Sequence, residues 1–168
     1  MSSSAKDIKN VCLRLLARRE HSKKELLQKL VSKGFNKILA ANIINELVQE
    51  GWQDDLRYAE NYARSRLLKG YGPARITYEL QQNGVDINLD AVPLNLEVLV
   101  QATTAGSWNG LLEEIYNKKF GSGKKPNMNE RAQLSRFLFQ RGFSGAMISA
   151  FFEHLNILWI INNYEKND

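Results

Sequence analysis

Five residues that carry cationic or aromatic chemistry gather within twelve positions: Arg64, Arg66, Lys69, Tyr71 and Arg75. Between them stand Gly70 and Gly72, which let a backbone turn tightly, and Pro73, which suits the first turn of a following helix. One helix end and one helix start therefore meet with several cations between them. Such a place fits phosphates or acidic side chains. It also fits a solvated turn ion-paired to Glu60 or Glu79, and the residue types alone leave both readings open. A second basic group, Arg18, Arg19, Lys23 and Lys24, with Arg14 one turn earlier, straddles the end of the first helix and the start of the second. Lysines at a helix start oppose the helix dipole slightly, so a partner would explain them, and a solvated charged face would too. A third group, Arg131, Arg136 and Arg141, is spread along one helix among core positions.

Catalytic chemistry is thinly supplied. The two histidines, His21 and His154, lie far apart, with no second metal ligand at helical spacing. His21 reads as a solvated turn residue. Asp54 and Asp55 are adjacent, which suits helix capping better than a spaced acid–base pair. Gly70-Tyr71-Gly72 follows no strand and precedes no Gly-Lys-Ser/Thr, so it is not a nucleotide-binding loop. The single cysteine, Cys12, cannot form an intramolecular disulfide and reads as a small core residue. No catalytic residue, metal or cofactor is expected.

The elements that must position these groups are helical. Only three prolines interrupt the chain, and no window alternates β-branched with polar residues. Three segments repeat one pattern: Ser22 to Phe35, Gly72 to Val85 and Glu130 to Phe143. In each, two aliphatic residues lie four apart (Leu26/Leu30, Ile76/Leu80, Leu134/Leu138). A glycine follows four residues later, then an apolar residue. That order is a helix C-terminus whose glycine turns the chain and whose next residue folds back on the last turn. Ser22 with Glu25 reads as a capping box, and Asp54 as an N-cap.

A helix precedes and follows each segment. Ile8, Val11, Cys12, Leu15 and Leu16 form the first leading stripe, and Leu39, Ile43, Ile44 and Leu47 the first trailing one. Leu56, Tyr58, Ala59, Tyr62, Ala63 and Leu67 lead the second unit. Trp108, Leu111, Leu112, Ile115 and Tyr116 lead the third, and Met147, Ile148, Phe151, Phe152 and Leu155 trail it. The trailing helix of the second unit, Asn88 to Val100, contains Pro93, so it starts late, around Asp90, or kinks. The expected fold is all-α: an elongated, curved array of three tandem three-helix repeats, over residues 1–51, 52–101 and 102–168.

Charge is uneven along this array. Residues 1–51 carry ten Lys/Arg against five Asp/Glu, residues 52–101 five against seven, and residues 102–168 eight against six. A basic surplus suits a polyanionic partner, and the acidic middle argues against a surface that coats DNA uniformly. Residues 1–10 are polar and hold no leader-like apolar stretch. No apolar run is long enough to span a membrane, so a cytoplasmic, membrane-free protein is expected. The apolar tail Ile157 to Ile161 would cover a core edge or make a small protein contact.

The stretch Gly51-Trp52-Gln53-Asp54-Asp55, then Arg57-Tyr58-Ala59, Arg64-Ser65-Arg66 and Lys69-Gly70-Tyr71-Gly72-Pro73-Ala74-Arg75-Ile76, resembles the RecX family. Leu138 to Phe143 adds to the likeness, which runs over roughly residues 8 to 155. Trp52 and Gln53 depart from the family's usual smaller-ring and aliphatic residues. The resemblance implies three tandem three-helix repeats and no cofactor; a monomer without enzymatic activity is expected. It implies a partner, the RecA recombinase, chiefly as its filament on DNA. Binding there would inhibit strand exchange, ATP hydrolysis and co-protease activity, and so regulate recombination, DNA repair and the SOS response. Contact with single- or double-stranded DNA would be weak, made either directly or through the filament. The partner-facing residues would be Arg64, Arg66, Lys69, Tyr71 and Arg75 first, and Arg18, Arg19, Lys23 and Lys24 second. The rival expectation is a direct DNA-binding protein with a helix-turn-helix element in the major groove, although no helix carries an exposed row of Arg, Asn and Gln suited to base edges.

Overall fold

A computed structural model of the chain describes residues 4–87 and 93–164. Those residues form nine helices and no strand: α1 (Ala5–Leu16), α2 (Lys23–Ser32), α3 (Lys37–Gln49), α4 (Asp55–Leu68), α5 (Pro73–Gln82), α6 (Leu96–Gln101), α7 (Trp108–Phe120), α8 (Met128–Gln140) and α9 (Gly145–Tyr164). In chain order they make three consecutive groups of three.

Local chemistry sets the helix ends. Ser4 with Asp7, Ser22 with Glu25, and Asn127 with Glu130 form reciprocal capping boxes at the starts of α1, α2 and α8. The Asp54 carboxylate accepts from the backbone N–H of Leu56 at 2.7 Å and of Arg57 at 3.2 Å, so it caps α4 as expected. At the far ends one bond pattern recurs. Phe35, Val85 and Phe143 donate their backbone N–H to the carbonyls of Leu30, Leu80 and Leu138, at 3.2, 2.9 and 3.1 Å. This six-to-one bond closes a Schellman turn and folds the apolar residue onto the helix it has just left.

Cα packing divides the chain into two compact units. The first holds Met1–Tyr62 and Thr77–Leu94, the second Ala63–Ile76 and Asn95–Asp168. The division falls within α4 and α5. In the first unit, Ile8 and Cys12 of α1, Leu26 and Leu30 of α2, and Ala40, Ile43, Ile44 and Leu47 of α3 form one buried cluster. In the second, Leu111, Leu112 and Tyr116 of α7, Leu134 and Leu138 of α8, and Ile148 and Phe151 of α9 are buried with Phe143 and Leu67. Each fully buried leucine contributes roughly 1.5–3 kcal/mol relative to exposure, so the helical stripes supply most of the holding force.

One expectation is overturned and two features are located. His21 is not a solvated turn residue; it is 3% exposed. Its Nδ1 lies 3.0 Å from the Arg19 carbonyl, and its own carbonyl accepts from Gln53 Nε2 at 3.1 Å. The turn is covered because Gln53, itself buried, reaches back over it from the segment ahead of α4. The expected helix start at Asn88 or Asp90 lies outside the described residues. The described trailing helix, α6, starts at Leu96 with Asn95 as its N-cap, and Pro93 stands ahead of that cap, where its missing N–H costs nothing. The apolar tail is no separate segment: Ile157 to Ile161 continue α9, and Ile157, Trp159, Ile160 and Ile161 are 41–55% exposed.

Candidate functional site

The basic and aromatic residues of the α4–α5 turn are arranged by the end of α4. Gly70 takes φ +75°, and Tyr71 donates its N–H to the Arg66 carbonyl at 3.0 Å. This is again a Schellman turn, in which the residue after the glycine meets the residue three places before the helix end. Those two residues are Tyr71 and Arg66. The usual apolar contact is replaced by a cation on a ring, with the Arg66 guanidinium 5.1 Å from the Tyr71 centroid.

The turn is then clamped to the end of α8. Gly72 donates its N–H to the Arg141 carbonyl at 2.8 Å, and Ala74 donates to the Gly142 carbonyl at 3.1 Å. The approach is backbone to backbone: a Cβ on Gly72 would stand 2.6 Å from the Gly142 carbonyl. A Cβ on Gly142 would stand 2.4 Å from both the nitrogen and the Cβ of Arg75, so the Arg75 stem starts from the joint itself.

This joint delivers Arg141 to the site. Its guanidinium lies 4.9 Å from the Tyr71 centroid and 4.6 Å from that of Phe137, and it donates to the Lys69 carbonyl. Lys119 of α7 covers Phe137 at 4.4 Å and approaches Phe120 at 5.9 Å. Cations and rings thus alternate: Arg66, Tyr71, Arg141, Phe137, Lys119, Phe120. Each exposed cation–ring pair contributes about 0.5–1 kcal/mol, which fixes side chains that would otherwise wander in solvent. Beside the ladder lies a pocket of about 350 Å³. Leu111 and Ile115, with exposed Leu68 at the rim, give it an apolar lining, and Lys69, Lys118, Lys119 and Arg141 line it with cations.

Of the residues singled out in the sequence, Arg66, Lys69, Tyr71 and Arg75 come together here. Arg64 lies two positions from Arg66 on α4, and so on another face of the helix; it is exposed and makes no ion pair or hydrogen bond among the described residues. The second basic group belongs to the first unit. There Arg19 pairs with Glu25 at 3.1 Å, and Lys24 Nζ donates to the Gln82 carbonyl at 2.8 Å, which meets a carbonyl left unpaired at the α5 end. Arg18 and the Lys23 side chain are exposed. Arg141, named in the third basic group, joins Arg66 and Tyr71 at the α4–α5 turn, and Lys118 and Lys119 were not legible as site residues, because their place depends on which helix ends meet.

Cys12 is fully buried, and burial pushes its thiol up to about 11, so the thiolate is suppressed at neutral pH. Among the described residues no cluster of three or more His, Cys, Asp or Glu could hold a metal ion, and no helix is long and apolar enough to cross a membrane.

Comparison with known proteins gives one consistent result. Residues 9–47, 54–89 and 111–152 match the first, second and third three-helix domains of RecX. Regulatory protein RecX of Halorhodospira halophila is 34% identical over 149 residues, covering 88% of both chains. That of Pseudomonas entomophila is 38% identical over 142 residues, covering 84% of this chain and 86% of the relative. The crystal structure of RecX from Lactobacillus salivarius superposes with a TM-score of 0.72 at 22% identity, covering 91% of this chain and 97% of that one, and so speaks for the fold. With its three domains matched in order and relatives at this identity over most of its length, the chain belongs to the RecX family of regulatory proteins.

Proposed function

We propose that this protein regulates homologous recombination by binding the RecA recombinase, chiefly as its filament on DNA, and by inhibiting strand exchange, ATP hydrolysis and co-protease activity. It acts in the cytoplasm as a binder, not as an enzyme. Membership of the RecX family supports the target. The observation that carries the site is the cation–ring ladder, which fixes Arg66 and Arg141 beside exposed Lys69. Fixed guanidinium groups lose little rotamer freedom when they pair with carboxylates or phosphates, so they favour a charged partner more than mobile ones do.

Arg18 and Lys23 supply a second contact in the first unit, with Arg19 and Lys24 beside them. Two weak contacts on one filament add through effective concentration. Inhibition follows when one molecule holds neighbouring protomers or obstructs the DNA groove. The test is RecA ATPase on single-stranded DNA, titrated with this protein at two salt concentrations. Inhibition at substoichiometric ratios, weakened by salt, is expected. Its absence, together with tight DNA binding in the absence of RecA, would move the reading to a DNA-binding protein.

A further inference from the structure

Resting on the reading that the ladder side of the second unit faces a partner, we infer that the pocket beside it recognises an acidic peptide segment carrying one bulky apolar side chain. The alternating cations and rings first suggest a platform for single-stranded DNA, where bases stack on open aromatic faces. The geometry removes that role. Tyr71 has a guanidinium on it from Arg66 and another from Arg141, at 5.1 and 4.9 Å. Phe137 has Arg141 at 4.6 Å and Lys119 at 4.4 Å. Both rings are engaged by cations already, and a base would have to displace one of them to stack.

What the ladder leaves available is the pocket. Its apolar lining is Leu111 and Ile115, and Leu68, 77% exposed, is an uncovered aliphatic side chain at the rim. Four cations, Lys69, Lys118, Lys119 and Arg141, face one carboxylate, Glu114. A phosphate chain would use the cations and leave the apolar lining wet. An uncharged apolar segment would use that lining and leave the cations unmatched. A leucine- or phenylalanine-sized side chain flanked by aspartates or glutamates uses both, and a volume of about 350 Å³ accommodates one such side chain with its neighbouring backbone. Gly70 keeps the apolar lining open, since a Cβ there would press on Ile115 at 3.2 Å. The cations steer the acidic segment in, and the apolar side chain sets how long it stays.

The experiment uses the full chain and fluorescence anisotropy. The probe is a fluorescein-labelled short peptide with one leucine between two pairs of aspartates. Its control replaces the leucine by serine at unchanged charge, and its competitor is a single-stranded oligothymidine. Binding of the leucine peptide should fall at least tenfold in the serine peptide, as expected for losing one buried leucine. It should fall by a similar factor in the Lys118→Glu, Lys119→Glu double variant, whose sites are exposed and whose helix content should be unchanged by circular dichroism. Ile115→Asn should weaken the leucine peptide but not the serine one. Equal affinity for the two peptides, or undiminished binding by the double variant, overturns the inference. So does displacement by oligothymidine at lower concentration than by unlabelled leucine peptide. RecA ATPase inhibition by the same double variant separates the two proposals. Peptide binding lost with inhibition retained removes RecA from this pocket but leaves the peptide site. Inhibition lost while the leucine and serine peptides bind alike keeps the RecA reading and removes the peptide one.

Discussion

Replacing Gly72 by alanine tests the joint on which the site depends. Gly72 has no positive φ, so alanine costs nothing in backbone conformation. The cost is steric. The new Cβ would lie 2.6 Å from the carbon and oxygen of Gly142 and 2.7 Å from the nitrogen of Phe143. All three are backbone atoms at a helix end, so no side chain can swing aside. An ordinary contact begins at 3.4 Å, which requires the α4–α5 turn to retreat by about 0.8 Å. The same retreat stretches the Gly72–Arg141 and Ala74–Gly142 hydrogen bonds from 2.8 and 3.1 Å to beyond about 3.5 Å, where they no longer hold. Two backbone bonds at about 0.5–1.5 kcal/mol each amount to roughly 1–3 kcal/mol, less about 0.4–1 kcal/mol regained from the stiffer unfolded chain. A net loss of about 1–2 kcal/mol corresponds to a Tm lower by roughly 4–15 °C for a unit of this size. Thermal and urea unfolding followed by circular dichroism measures it. Gly145→Ala is the control, since its Cβ meets nothing within 4 Å and its φ is not positive; it should be neutral or slightly stabilising. If Gly72→Ala is as stable as Gly145→Ala, the clamp between the α4–α5 turn and the α8 end is not real.

Other outcomes follow from single contacts. Arg141→Met keeps the length of the side chain but removes two cation–ring contacts and a charged hydrogen bond, so it should cost about 1–3 kcal/mol; in a double-mutant cycle with Tyr71→Leu, a coupling near zero would refute the ladder. Asp54→Ala should cost about 1 kcal/mol in urea unfolding, because two α4 N–H groups lose their acceptor; an unchanged midpoint would contradict the cap. Cys12 should resist thiol reagents in the native protein and react only as urea unfolds it. Its thiol is raised from 9.0 to about 11, so the stability it contributes is full below pH 9 and is lost as pH rises through about 11. Cys12→Ala should flatten that alkaline loss, and an equally steep loss in the variant would show that another group causes it.

The helices were legible in the sequence because each carries its own start and stop. Ser22 with Glu25, Asp54, and the glycines before Phe35, Val85 and Phe143 act within a turn of themselves, so local chemistry decides them. The site was half legible. Arg66, Tyr71 and Lys69 belong to one helix end, and that end could be read. Arg141, Lys118 and Lys119 reach the same place from α7 and α8, and no local rule gives which helix ends meet. Gly72 and Gly142 looked like turn residues, yet each is also a contact surface, where the missing Cβ lets two backbones hydrogen-bond. His21 misled for the same reason. Its neighbours in sequence are charged, and its cover, Gln53, comes from thirty-two residues on.

The most direct measurement of the central claim compares wild type with the Arg64→Ala, Arg66→Ala, Lys69→Ala variant in RecA ATPase inhibition on single-stranded DNA. Arg64 and Lys69 are exposed and Arg66 is half-buried on Tyr71, so the variant should fold, with helix content unchanged by circular dichroism. Inhibition should need about fivefold more of the variant, on the order of 0.5 kcal/mol for each of the two site charges Arg66 and Lys69, with Arg64 on its other face adding little. A folded variant that inhibits as well as wild type at both salt concentrations would contradict it.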